Sequence, residues 1–275
     1  MINQVTVCVN ALDKRCNALQ AAAKFAEQHK ATLTATYTKL DTVEIVRWAG
    51  SSPMELADQL LVDQDTREQR NKDIFESVLA KYECKSRWRT IFQSENPIRQ
   101  LLCTDIIFVD QPNQELATYL SDESLVHHLI LQSKRPIVMI PTGWDADAIG
   151  GKVLVGWNSS AEAMRAVADA LPVLGKCEHV LILDVLKDPV FSEEHNTSPE
   201  LQAYLGSKGI LNDVIIEHAP KHNEELDMLL NYATEHNVDL IVIGGYGHSR
   251  LREVVMGGMT SHMIKNSTIP VLFSH

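Results

Sequence analysis

The sequence predicts two tandem α/β repeats, each an open five-stranded parallel sheet with helices on both faces, the two related by a pseudo-twofold. Three observations carry this. Short β-rich runs alternate with helical stretches along the whole chain, the pattern of parallel sheets whose crossovers are helices. The alternation restarts after a polar, glycine-bearing stretch at 141–151. The halves also match each other. A shift of 134 positions lays Asp105 on Asp239, Ile107 on Ile241, His128 on His262, Ser133 on Ser267 and Pro136 on Pro270. A shift of 148 lays Val5 on Val153, Val7 on Val155 and Asn10 on Asn158. Such self-similarity marks a duplication.

Each element has a local reason. Val5-Thr-Val-Cys-Val9 reads as a strand, 13–28 as a helix with Ala18, Ala21, Ala22, Phe25 and Ala26 on one face, and 32–38 as the second strand. A less regular stretch leads to a long polar-rich helix over 54–82. A third strand near 87–92 precedes a short helix at Asn96-Pro97, because Asn caps and Pro suits the first turn. Strand 105–109, helix 122–132 and strand 136–140 complete the repeat. The second repeat reads as strand 152–157, helix 161–174, strand 179–185, helix 199–207, strand 213–218, helix 223–236 capped by Asn223, strand 239–243, helix 258–265 and strand 270–273. The expected units are 1–142, a linker at 143–151, and 152–275. The two shifts differ by 14, so the first repeat carries an insertion, placed in 41–53 and the long helix.

Composition narrows the function. Over 275 residues, 45% are hydrophobic and 22% charged, the balance of a globular protein. A net charge of -11 argues against nucleic acid or an anionic membrane as partner. The basic run Lys85-Ser-Arg-Trp-Arg89 fits a solvated strand edge. Five scattered cysteines (Cys8, Cys16, Cys84, Cys103, Cys177) show no CxxC or metal-ligand spacing and fit reduced thiols. No apolar run approaches the roughly 18 residues of a membrane helix, and no leader pattern opens the chain, so a cytoplasmic location is expected.

Parallel open sheets bind ligands beyond the carboxyl ends of their strands, where the strand order reverses. A right-handed winding puts that crevice between the first and fourth strands of each repeat. In the second repeat those strands end at Gly156-Trp-Asn158 and at Gly244-Gly-Tyr-Gly247. Gly244, Gly247, Gly257 and Gly258 let backbone N–H groups approach a phosphate, and the helix from about 258 aims its positive end there. The competing reading is a tight turn with close helix–sheet packing, since glycine-rich turns alone are weak signals.

Gly-x2-Gly-x9-Gly at Gly244, Gly247 and Gly257, between a strand and a final helix–strand ending in Pro-Val, resembles the nucleotide loop of the universal stress protein family. Taken as two copies, the resemblance covers nearly the whole chain. It implies a Rossmann-like, adenine-nucleotide-binding fold and a stress-response role. It also implies ATP, with Mg, in the second repeat, and fifth strands of the two repeats paired within the chain. ATP-binding members carry Ser or Thr after the last glycine and Asp at the end of the first strand; here these are Gly258 and Asn158. Thr260 matches a second family hydroxyl. The nucleotide-binding candidates are therefore Asn158, Gly244, Gly247, His248, Gly257, Gly258 and Thr260. Restoring the hydroxyl by Gly258→Ser is expected to tighten binding. In the first repeat the three glycine positions are Asp110, Asn113 and Glu123, and two carboxylates repel a polyphosphate, so no nucleotide is expected there.

His127 and His128 invite a metal or acid–base reading, but His128 falls on His262 in the repeat, which suggests packing or capping; Arg250 and Arg252 read as phosphate or surface cations, and Cys8 as a small buried hydrophobe. No nucleophile elbow, HExxH or Gly-Lys-Ser/Thr loop is present; chemistry is expected to go no further than slow ATP hydrolysis. The functional expectation is a regulatory stress protein responsive to ATP or AMP. The alternatives are a ligand-independent scaffold, alone or as a homodimer, and a small-ligand or lipid sensor using the first repeat's insertion.

Overall fold

The computed structural model describes residues 1–9, 12, 16–41, 54–112, 123–145, 149–186, 196–218, 224–245 and 258–275. The first half contains β1 (Gln4–Cys8), α1 (Asn17–His29), β2 (Thr32–Lys39), α2 (Met54–Leu79), β3 (Lys85–Phe92), α3 (Pro97–Gln100), β4 (Ile106–Asp110), α4 (Glu123–Gln132) and β5 (Ile137–Ile140). The second contains β6 (Lys152–Trp157), α5 (Ala161–Leu174), β7 (His179–Leu186), α6 (Ser198–Ser207), β8 (Asn212–His218), α7 (Glu224–Glu235), β9 (Leu240–Gly244), α8 (Met259–Asn266) and β10 (Val271–Ser274). The linker lies between β5 and β6, with 146–148 outside the described residues.

The two five-stranded units merge into one ten-stranded sheet in the order β3-β2-β1-β4-β5-β10-β9-β6-β7-β8. Each half keeps the same internal order, with β1 between β2 and β4 and β6 between β7 and β9. All pairings within a half are parallel, and the β5–β10 seam is antiparallel. Across the seam Val138 faces Leu272, with Met139 opposite Val271 and Ile137 opposite Phe273. Val138 and Leu272 are equivalent under the 134 shift, so the pseudo-twofold passes between them.

The duplication extends to polar detail. The Asp105 carboxylate accepts from Asn3 N–H (2.7 Å) and Gln4 N–H (2.9 Å). Its counterpart Asp239 accepts from Gly150, Gly151 and Lys152 N–H groups at 2.9–3.2 Å. Each fixes the entry of the half's first strand, and the sequence repeat at this position is structural.

Two buried layers flank the sheet. One holds Val5, Val7, Leu33, Ala35, Val153, Val155, Val180 and Ile182 with the apolar stripes of α1 and α5; the other holds Ile107, Val109, Leu129, Leu154, Leu181, Ile241 and Phe273. On this second face the halves diverge. The second half has α7, whose Leu229 and Ala233 belong to the same buried cluster as Leu154, Leu181 and Leu183. Among the described residues of the first half, the helix at the equivalent place, between β3 and β4, is the four-residue α3. The sheet residues equivalent to Leu154 and Leu181, paired in register, are Thr6 and Thr34. Thr6 Oγ1 donates to Thr104 Oγ1 (3.0 Å), and Arg87 Nε donates to Thr34 Oγ1 (2.7 Å). Where the covering helix shrinks, the strand face turns from leucine to hydrogen-bonded threonine, since buried hydroxyls need partners.

Candidate functional site

β6 and β9 are neighbours, paired Val155 to Val242, so the chain ends carrying Asn158 and Gly244 open on the same sheet edge. Asn158 leaves β6 and its Oδ1 accepts the Ser160 N–H at 3.2 Å. Ser159 adopts φ +57. Ser160 caps α5, its Oγ accepting the Ala163 N–H at 3.1 Å, with Glu162 in the first turn. This is an ordinary N-cap: a β-region backbone and a hydroxyl taking one orphan donor.

Gly244 ends β9 directly against that helix. A Cβ there would stand 2.6 Å from the Glu162 carbonyl carbon and 2.7 Å from the Ala163 nitrogen. Both are backbone atoms and cannot yield. Gly244 is therefore demanded by the approach of α5 to the sheet, the packing role weighed above. Gly258 is the N-cap of α8 and lies at φ +126, ψ -169, in the region L side chains rarely adopt. No side-chain cap is found for α8 among the described residues. Thr260 is buried in that first turn. The backbone at Gly258 amends one expectation: a Ser there gains a hydroxyl but takes on strain of about 1–3 kcal/mol. Gly247, His248, Gly257, Arg250 and Arg252 lie outside the described residues.

The corresponding place in the first half is built differently. Asp110, equivalent to Gly244, ends β4, and its Oδ1 accepts the Ala18 N–H at 2.9 Å. α1 has Cys16 at its N-cap with no side-chain cap of its own, so the strand's carboxylate satisfies the helix N-terminus that a bound anion would otherwise meet. Nearby, α2 is fastened to the strand ends. Lys39 reaches Asp65 and Glu68, Glu68 accepts from Thr90 Oγ1 at 2.6 Å, and Gln64 bonds both the N–H and the carbonyl of Leu40. Glu123 begins α4; Asn113 is outside the described residues.

Sequence reasoning missed a polar pair on the α5 face of the same edge. Trp157 and Asp184 are register partners on β6 and β7, 7% and 3% exposed. The Trp157 indole N–H has no partner among the described residues, and burial pushes the Asp184 carboxyl up to about 6. The available signal was an Asp inside an otherwise apolar strand run.

Other candidates resolve simply. His262 Nε2 lies 3.5 Å from Asp227 Oδ1 of α7, an inter-helix contact; His127 is buried and His128 exposed. Burial pushes the Cys8 thiol up to about 11, against a lowering contact from Thr36, which leaves it inert. Among the described residues no group of three or more His, Cys, Asp or Glu is placed to hold a metal, and no helix is long and apolar enough to cross a membrane.

Residues 151–275 match the family model described as the universal stress protein family. A search of curated proteins finds no match. Among solved structures, a universal stress protein from Archaeoglobus fulgidus DSM 4304 aligns over 100% of this chain and 98% of its own, with 16% identity and a TM-score of 0.71. One described as a putative universal stress protein from Pseudomonas aeruginosa UCBPP-PA14 aligns over 99% and 93%, with 14% identity and a TM-score of 0.63. These likenesses share the two-half, Rossmann-like α/β plan.

Proposed function

From a C-terminal half that is a universal stress protein domain, we propose that the chain is a regulatory stress protein that binds ATP or AMP in its second half only. Residues 1–142 and 152–275 serve as the two repeats, joined by 143–151. The observation that carries the reading is the contrast between the two crevices. In the first, Asp110 caps α1 with a carboxylate and adds negative charge where a phosphate would lie. In the second, Gly244 contributes no side chain, Ser160 has already capped α5, and α8 begins at a glycine with no side-chain cap among the described residues. The phosphates lie against 244–247 and 257–260, with Mg as counterion and Asn158 near the nucleoside. His248 and Thr260 complete the polar set. The protein works in the cytoplasm, signalling through altered partner contacts rather than through catalysis.

A second reading, a nucleotide-free scaffold, is favoured by one observation: packing against Glu162 and Ala163 accounts for Gly244 without any ligand. Calorimetric titration of ATP and AMP at fixed magnesium separates the two. Heat from the wild type, abolished by Gly257→Val and unchanged by Asp110→Ala, supports the nucleotide reading. An absence of heat from the wild type leaves the scaffold.

A further inference from the structure

The outer edges of the ten-stranded sheet, β3 and β8, each pair with one neighbour among the described residues, and they carry opposite charge on the same sheet face. Arg87 and Arg89 pair in register with Thr34 and Thr36, while Asp213 pairs with Leu181; all project to the face that holds Leu181 and Leu183. β3 thus offers Lys85, Arg87 and Arg89, and β8 offers Asp213 and Glu217. Phe92, Leu211 and Ile216, 40%, 67% and 46% exposed, lie on or beside these same two strands.

We propose that β3 of one copy pairs with β8 of a second copy, extending the sheet head to tail. Strand polarity permits it. All strands of the first half run one way and all of the second the other, because the seam is antiparallel. A second copy laid beside the first in the same orientation therefore brings β8 antiparallel to β3. Facing permits it too, since the charged positions of both edges lie on one face. In the register that sets Arg87 opposite Ile215, Lys85 falls opposite Glu217 and Arg89 opposite Asp213. On the other face Trp88 then meets Val214. Opposite charges and aromatic–β-branched pairs are the favourable cross-strand combinations.

The same charges select the partner edge. A β3–β3 contact juxtaposes Lys85, Arg87 and Arg89 with one another, and a β8–β8 contact juxtaposes carboxylates. The pairing draws Asp213 away from His179, now 3.0 Å from it, and Arg89 away from Gln100. Because the contact is heterologous and each copy keeps a free edge, growth is open-ended rather than a closed dimer. The competing account is that charged edge strands keep copies apart.

Sedimentation velocity of the full chain, over a concentration series at low and at about 1 M salt, where screening is nearly complete, decides between them. The expected result is an average mass that climbs with concentration at low salt and collapses at high salt. Arg89→Glu and Asp213→Arg should each weaken association at least tenfold, and the chain carrying both should recover it, which also excludes misfolding as the cause. A single unchanging mass overturns the proposal. So does a closed dimer indifferent to either reversal, or a double variant that fails to recover.

Discussion

At the scale of single residues, one half-buried and one buried carboxylate respond to pH in opposite senses. Burial raises the Glu68 carboxyl, but hydrogen bonds from Thr90, Lys72 and Lys39 outweigh it and hold it down at about 2, from a usual 4.5. A depressed carboxylate stabilises the fold above its unfolded pKa and loses that contribution as pH falls through the folded one. Glu68→Gln should therefore cost on the order of 1–2 kcal/mol at pH 7, after allowance for solvent screening. The gap to wild type should close between about pH 4.5 and 2 in urea titrations. Asp184 runs the other way: burial alone raises it to about 6 from 3.8. Its ionisation above that range weakens the fold, so Asp184→Asn, the shape of the protonated acid, should be more stable than wild type at pH 7, by on the order of 1–2 kcal/mol. That advantage should fade as pH falls from about 6 to 3.8. Gly244→Ala tests packing: two backbone contacts under 3 Å call for a loss of about 1–3 kcal/mol, read as a lowered denaturant midpoint with the same slope.

Among the elements, legibility followed local signal. α5 reads from the sequence at 161–174 and forms there, because Ser160 caps it and Ala163, Ala166, Val167 and Ala170 recur on its buried face. Removing that cap in Ser160→Ala should cost about 1 kcal/mol, measurable by thermal unfolding. The short helix at Asn96-Pro97 is also legible from its cap, Asn96 Oδ1 accepting the Arg99 N–H. What the sequence did not disclose is that this helix stops after one turn and leaves Thr6 and Thr34 where the other half buries leucines. That consequence lives in cross-strand register, which no local pattern encodes. The site was half legible for the same reason. Glycines announce that a side chain is unwelcome, but only the coordinates distinguish a clash with α5 at Gly244 from a positive φ at Gly258. In the sequence Asp110 is a charge that repels phosphate; its tie to α1 joins two segments 92 residues apart.

For the whole molecule, the decisive feature is the seam. Val271, Leu272 and Phe273 face Met139, Val138 and Ile137, and none of the six is more than 1% exposed. Gln111 reinforces the joint, donating to the Ile264 and Ser267 carbonyls at 2.9 and 3.2 Å and accepting the Thr142 N–H at 2.9 Å. Separating the halves would bare an apolar strand edge on each, and such edges seek a partner. Because Val138 and Leu272 are equivalent positions on the pseudo-axis, one half can stand in for the other. Residues 151–275 expressed alone should therefore dimerise through β10, with Leu272 on a true twofold against its own copy. Leu272→Lys should break that dimer, since two like charges would meet at a buried axis. Light scattering coupled to size exclusion measures both masses. A monomeric 151–275, or a Leu272→Lys variant that stays dimeric, would show that the seam is held by the linker's tether rather than by edge pairing.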